Sequence, residues 1–268
     1  MSTLATLPRE FTRCPMSHTL TIFAKEAKYD FLGRLRLPVY SVSTILFPVM
    51  SYILFGLVLN RGQHNEGVSI PTYLMASYAT FGVMGASLFG FGVGVAMERG
   101  LGWLQVKRAS PMPPAAYLAA KVLTSMLFSA IIVGLLMALA TAFGNVRLTG
   151  AESIRLLATL VVGAICFCAM GLAIGSLAGP NAAPAVVNLL YLPLSFASGL
   201  WIPINLLPKF LQNLAPALPP YHLGQLALSV LGAGHGTVSS HWGALLGFTL
   251  IFLGIARIGF QSEESVAG

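Results

Sequence analysis

Charge falls in clumps along this chain, and the stretches between the clumps are long and apolar. Residues 39–59, 72–96, 122–143 and 184–203 contain no Asp, Glu, Lys or Arg. Residues 154–178 contain only Arg155, near the start, and 241–258 only Arg257, near the end. A long basic side chain at either position can snorkel to an interface. A helix crosses a hydrocarbon core of roughly 30 Å in about 20 residues, so these six runs read as membrane spans. The chain is 56% hydrophobic and 9% charged, whereas soluble domains carry about 25% charged residues, so most of it is dissolved in lipid. The net charge of +7 then belongs to the flanks of spans and does not indicate a nucleic-acid partner.

Three segments are not spans, and each has its own pattern. Residues 97–121, MERGLGWLQVKRASPMPPAAYLAAK, carry four of the fifteen Lys and Arg residues between two apolar runs. They predict a short helix over 100–109, stopped by Pro111, Pro113 and Pro114, which cannot continue one. The segment is either a docking surface for a cytoplasmic partner or a solvated connector whose charges fix orientation. Upstream, Leu20, Phe23, Ala24, Ala27, Phe31 and Leu35 recur at helical spacing, with Lys25, Lys28 and Arg36 outside the stripe and Arg34 intruding on its edge. Such a basic amphipathic helix lies in a membrane interface or packs on a partner. The third segment, 204–240, is punctuated by Pro208, Pro216, Pro219 and Pro220 and holds an apolar stretch, 223–231, too short to span. It predicts a re-entrant or surface-lying helical element, tolerated at membrane depth only where protein covers it. The expected organisation is a tail and amphipathic helix over 1–38, a six-span domain over 39–258 and an acidic tail over 259–268.

Six spans put both termini on one side. The N-terminal segment contributes six basic residues, the 97–121 segment four and Arg257 one, against Arg61, Arg147, Arg155 and Lys209 on the other side. The side with eleven is the cytoplasmic one. Several chemistries lack their residues. No G-x-x-x-x-G-K-[ST] occurs, so the chain has no P-loop for ATP. No acidic residue lies inside a run, as a proton-coupled carrier would need. The five histidines show no metal-ligand spacing on one helix face, and Cys14, Cys166 and Cys168 form no CxxC. Ser87, Ser176 and Ser195 lie in runs without a histidine opposite, and read as hydrogen-bonding partners between helices.

Taken together, the entry helix, the six runs, the basic segment after the second and the broken element before the sixth resemble the ABC-2 type permease family, the membrane subunits of ATP-driven exporters. Glu98-Arg99-Gly100, then Leu104, Ala109-Ser110-Pro111 and Lys121, are similar to the motif after that family's second span. Here Gly100 comes early. Ser198-Gly199-Leu200-Trp201-Ile202-Pro203, with Leu207-Pro208 and Pro219-Pro220-Tyr221-His222, resemble its fifth-span exit and outer re-entrant helices. The resemblance implies an all-α membrane protein with six transmembrane helices, an N-terminal interfacial helix, a cytoplasmic coupling helix and an outer re-entrant element. It implies a coupling helix seated in a separate ABC ATP-binding subunit, which would hold the ATP and Mg. A second permease copy would complete the transporter, in a bacterial cytoplasmic membrane with both termini inside. Glu98 and Arg99 would root the lever, Lys107 and Arg108 would meet acidic groups on the ATPase and Pro111 would end it, with Gly100 and Leu104 in the same ATPase-coupling set. A substrate path between spans two and five would offer Tyr78, Phe81, Met84, Phe89, Asn188, Tyr191, Phe196 and Trp201. An uncharged aromatic path suits a hydrophobic or amphipathic cargo such as a drug-like compound or lipid. A polysaccharide or lipid-linked glycan exporter, or a six-span carrier without an ATPase, is the alternative.

Overall fold

The computed structural model describes residues 16–59, 64–65, 68–103 and 114–266. Helix α1 (Met16–Leu35) leads by a two-residue link into α2 (Pro38–Ser51), which opens on a proline because the first turn needs no N–H donor. Helix α2 runs on as a π-helical stretch, Tyr52–Val58. A two-residue antiparallel hairpin, β1 (His64–Asn65) with β2 (Val68–Ser69), precedes α3 (Ile70–Ser87). The Ser69 hydroxyl accepts the Thr72 N–H and caps α3. A second π-helical stretch, Leu88–Val93, joins α3 to α4 (Gly94–Gly100). Then come α5 (Pro114–Phe143), α6 (Gly150–Leu177) and α7 (Ala183–Ala197). Short helix α8 (Lys209–Leu214), α9 (Pro219–Val230) and α10 (Val238–Val266) complete the fold.

Among the described residues, five helical rods are long and apolar enough to cross a membrane: Pro38–Val58, Ile70–Gly100, Ala115–Phe143, Gly150–Leu177 and Val238–Gln261. The run expected to span over 184–203 forms only the 15-residue α7, about 22 Å long. It ends early because Gly199 takes a left-handed φ of +76°. The Gly199 N–H donates to the Phe196 carbonyl and the Leu200 N–H to the Ser195 carbonyl, the paired bonds of a Schellman cap. The last helix departs the other way. An acidic tail was expected from residue 259, but α10 continues to Val266, with Gly259 buried against Ser176.

The rod α3–α4 is the centre of the bundle, and almost every α3 side chain is buried. A helix apolar all round has no wet face to offer, so it takes neighbours on every side. Helices α2, α5, α6 and α9 all pack on it. The second π-helical stretch marks the closest approach. A Cβ on Gly92 would come within 3.0 Å of the Gly171 carbonyl oxygen, and one on Gly175 within 2.7 Å of the Gly92 carbonyl oxygen. Backbone meets backbone there, which in lipid supplies packing that no hydrophobic drive provides. The broken segment 204–240 folds as two short 3-10 turns, α8 and α9, and α9 inserts between α3, α6 and α10. Helix α1 lies along α5, where Phe31 meets the Phe128 ring at 5.4 Å.

Candidate functional site

Four charges from three elements meet where α1, α4 and α5 come together. Asp30 and Arg34 stand one turn apart on α1 and pair at 3.1 Å. Lys121, two turns inside α5, is 1% exposed. Its Nζ donates to Glu98 Oε1 of α4 at 2.7 Å and to Asp30 Oδ1 at 3.3 Å. It also lies 5.0 Å from the Tyr117 ring centroid, as Arg34 lies 5.7 Å from that of Tyr40. Two carboxylates and two cations cancel, so the cluster carries no net charge into a poorly solvated place. Burial pushes the Asp30 carboxyl up, but Arg34 and then Lys121 outweigh it and hold Asp30 below its ordinary value of 3.8.

The glycines at 90 and 94 acquire a role from this cluster. A Cβ on Gly94 would come within 2.8 Å of an Arg34 guanidinium nitrogen, and one on Gly90 within 2.7 Å of the Tyr40 hydroxyl. The two glycines, four residues apart, thus form a shallow seat for Arg34 and Tyr40. The Tyr40 hydroxyl donates to the Ala86 carbonyl and fixes that seat from above.

Three consecutive residues at the end of α4 bind three different elements. Glu98 reaches α5 through Lys121. Arg99 reaches the end of α6, donating to the carbonyls of Ser176 and, at 3.1 Å, Ala178. These are unsatisfied C-terminal carbonyls, which favour a cation. Gly100 lies under Pro180 in the α6–α7 turn, where a Cβ would come within 2.5 Å of the ring. Glu98-Arg99-Gly100 is therefore a clasp holding α4 to α5, α6 and the α6–α7 turn at once. Beyond it the chain turns at Leu101–Gly102, with Gly102 at φ +73°, and helical backbone resumes at Trp103. A helix starting at residue 100 was expected; α4 instead ends there. Leu104, Lys107, Arg108 and Pro111 lie outside the described residues.

The remaining expected residues divide in two. Tyr78, Phe81, Met84 and Tyr191 are buried inside the bundle. Phe81 stacks on Tyr191 at 4.5 Å, Tyr191 donates to the Phe81 carbonyl, and Trp201 meets Phe81 at 5.4 Å and Tyr78 at 6.2 Å. Phe89 sits edge-on to Tyr191 at 5.6 Å. Asn188 and Phe196, by contrast, are exposed on the outer side of α7. Asp30, Arg34 and Tyr40 were not among the expected site residues. The readable signal was Arg34 itself, a charge on the edge of an apolar stripe with Asp30 one turn before it.

A family model described as ABC-2 type transporter matches residues 25–231. A protein of Bacillus subtilis (strain 168) described as "Putative transport permease YvfS" is 24% identical over 247 residues, covering 92% of this chain and all of that protein. The matched region begins within α1 and ends just past α9, so it takes in the charge cluster, the clasp and the broken element as far as Leu231.

Proposed function

Because this chain belongs to the ABC-2 type transporter family, we propose that it is the permease subunit of an ATP-driven exporter. A separate ATP-binding subunit supplies ATP, Mg and hydrolysis, and a second permease copy completes the substrate path. The transporter sits in the bacterial cytoplasmic membrane with both termini inside, and α7 with the residues following it makes the fifth of six crossings. Residues 104–111 seat in the ATP-binding subunit. Lys107 and Arg108 meet acidic groups there, and Pro111 ends the lever.

The observation that carries this reading is the clasp. A lever moves a membrane span only if its root is rigid, and packed elements switch between discrete arrangements instead of deforming smoothly. Glu98, Arg99 and Gly100 tie the segment leaving α4 to α5, α6 and the α6–α7 turn, so movement of the segment carries all of them. Asp30 and Lys121 add α1 to the same joint.

The cargo is hydrophobic or amphipathic, a drug-like compound or a lipid. Support comes from spans without acidic residues away from the clasp end, and from an apolar groove of about 500 Å³ between α6, α7 and α10, lined by Met170, Ile174, Val186, Leu190 and Phe252 among others. Purification in mild detergent from cells that co-express a candidate ATP-binding subunit tests the assembly. The pair is expected to copurify and hydrolyse ATP, and Lys107→Glu with Arg108→Glu is expected to weaken the association. ATP hydrolysis or transport by the pure permease alone overturns the reading.

A further inference from the structure

At the far end of the bundle, two imidazoles face each other, and among the described residues no carboxylate lies between them. His222 on α9 and His241 at the start of α10 place their Nδ1 atoms 2.9 Å apart. His241 lies about 27 Å along α10 from Gly259, which packs at the clasp end. The other nitrogen of each ring is also engaged. His222 Nε2 is 2.9 Å from the Pro216 carbonyl oxygen, and His241 Nε2 is 2.6 Å from that of His235. A carbonyl only accepts, so both Nε2 atoms carry hydrogens. A neutral imidazole has one N–H, and in both rings it is already used. Two neutral rings would therefore point bare Nδ1 lone pairs at each other across 2.9 Å. One further proton turns that repulsion into a charge-assisted Nδ1–H···Nδ1 bond.

We infer that His222 and His241 form a proton-binding site that takes up one proton from solvent and shares it between their Nδ1 atoms. No covalent bond breaks; one imidazole becomes imidazolium and donates to the other. The proton joins α9 to α10. Through the Pro216 carbonyl it also joins the turn before α9, and through the His235 carbonyl the turn after it. The Gln225 side chain braces that second turn by accepting the His235 N–H at 2.8 Å. Tyr221 and Phe248 flank the rings at 5.5–6.2 Å.

The charged and titratable neighbours do not replace the proton. Arg147 precedes α6, α6 begins with Glu152 and Arg155, α8 carries Lys209 and α3 carries Tyr73. Glu152 is turned back onto Thr149 as its helix cap, and Tyr73 donates to the Gly199 carbonyl. Among the described residues, no carboxylate pairs with either ring. Burial, and then the charge on His241, hold His222 below the ordinary imidazole value, opposed by the Pro216 carbonyl. A second proton enters only at lower pH because it sets two imidazoliums against each other, and the burial that lowers His222 opposes the first proton as well. The clamp is strongest with one proton and weakens on both sides of that window, a bell-shaped dependence belonging to the pair. Which compartment supplies the proton rests on the orientation proposed above; the site itself does not.

The test uses the full-length protein in nanodiscs, open to buffer on both faces, with ¹⁵N-labelled histidine. The two Nδ1 resonances are expected to titrate together, with one proton bound per pair through an intermediate pH window. Amide exchange in α9 should be slowest in that window and roughly tenfold faster above it, as the charge-assisted bond is lost. His241→Asn places an amide donor near His222 Nδ1 without needing a proton, and should flatten the pH profile of α9 exchange. Two independent titrations at the ordinary imidazole value overturn the inference. So does a pH profile of exchange that is flat in the native protein. Should the variant fail to insert, the native titration decides alone.

Discussion

The two ends of this bundle are joined by different chemistry. At one end, Asp30, Arg34, Glu98 and Lys121 form a buried network that cancels its own charge, and Arg99 fastens to helix-end carbonyls. At the other, apart from the Glu152 carboxylate that caps its own helix, the bonds described run between neutral groups and backbone: Tyr73 to the Gly199 carbonyl, Gln225 to the His235 amide, and two imidazoles that need a proton. A buried charge network is intolerant of partial loss, because removing one member strands the others. Neutral bonds fail singly and at lower cost. The difference matches what each end has to do. Under the proposed function, the end that would receive force from the ATP-binding subunit is fixed as one joint, and the opposite end can adjust element by element.

The largest effect should come from Lys121→Met. It leaves Asp30 and Glu98 facing each other in a poorly solvated place, which costs roughly 3–5 kcal/mol. The thermal midpoint of the detergent-solubilised protein reads this out, and an unchanged midpoint would mean the cluster is wet and not a joint. Gly94→Leu comes next, since its side chain must occupy the place of the Arg34 guanidinium, at a cost of about 2 kcal/mol. Gly134→Leu, at a glycine with open space around it, should cost almost nothing by the same assay. Tyr73→Phe removes a neutral bond at the other end and should cost about 1 kcal/mol. If it costs as much as Lys121→Met, the contrast between the two ends fails.

The smallest effect is a pH dependence. Asp30 is held below its ordinary value in the folded chain, so its contribution is fully present above the unfolded value of 3.8. That contribution is lost as pH falls through the lower, folded value. Stability should thus be level down to about pH 4 and decline below it, and Asp30→Asn should remove that part of the decline. A decline of unchanged size in the variant would assign it to other carboxylates.

Much of the bundle was legible because lipid imposes a simple rule: charge-free runs of about 20 residues become rods. Five rods follow from it. Where the rule failed, local backbone chemistry decided. Residues 184–203 are apolar enough to span, but hydropathy does not register that Gly199 can close a Schellman cap, so the helix stops at Ala197. The stretch from 259 looked like a tail because it is acidic, yet burial of Gly259 against Ser176 carries α10 through it. The second π-helical stretch was illegible for another reason: it depends on where Gly171 and Gly175 of a distant helix press on Gly92. In the site, Glu98-Arg99-Gly100 was legible as a unit through its likeness to a family motif. Its three separate partners, Lys121, the Ser176 and Ala178 carbonyls and Pro180, were not, since no spacing rule connects them. Arg34 looked like a blemish in an apolar stripe, and its seat is made by glycines about sixty residues away.

The central claim is that the clasp transmits work between the ATP-binding subunit and the spans. The direct measurement is substrate moved per ATP hydrolysed by the reconstituted complex, comparing Arg99→Ala with Gly134→Ala. Arg99→Ala detaches α4 from the α6 carbonyls without altering residues 104–111. The account predicts that the complex still assembles and hydrolyses ATP while transport per ATP falls about tenfold, a coupling loss of about 1.4 kcal/mol, with Gly134→Ala unchanged. A ratio in Arg99→Ala equal to that of the native complex would contradict it.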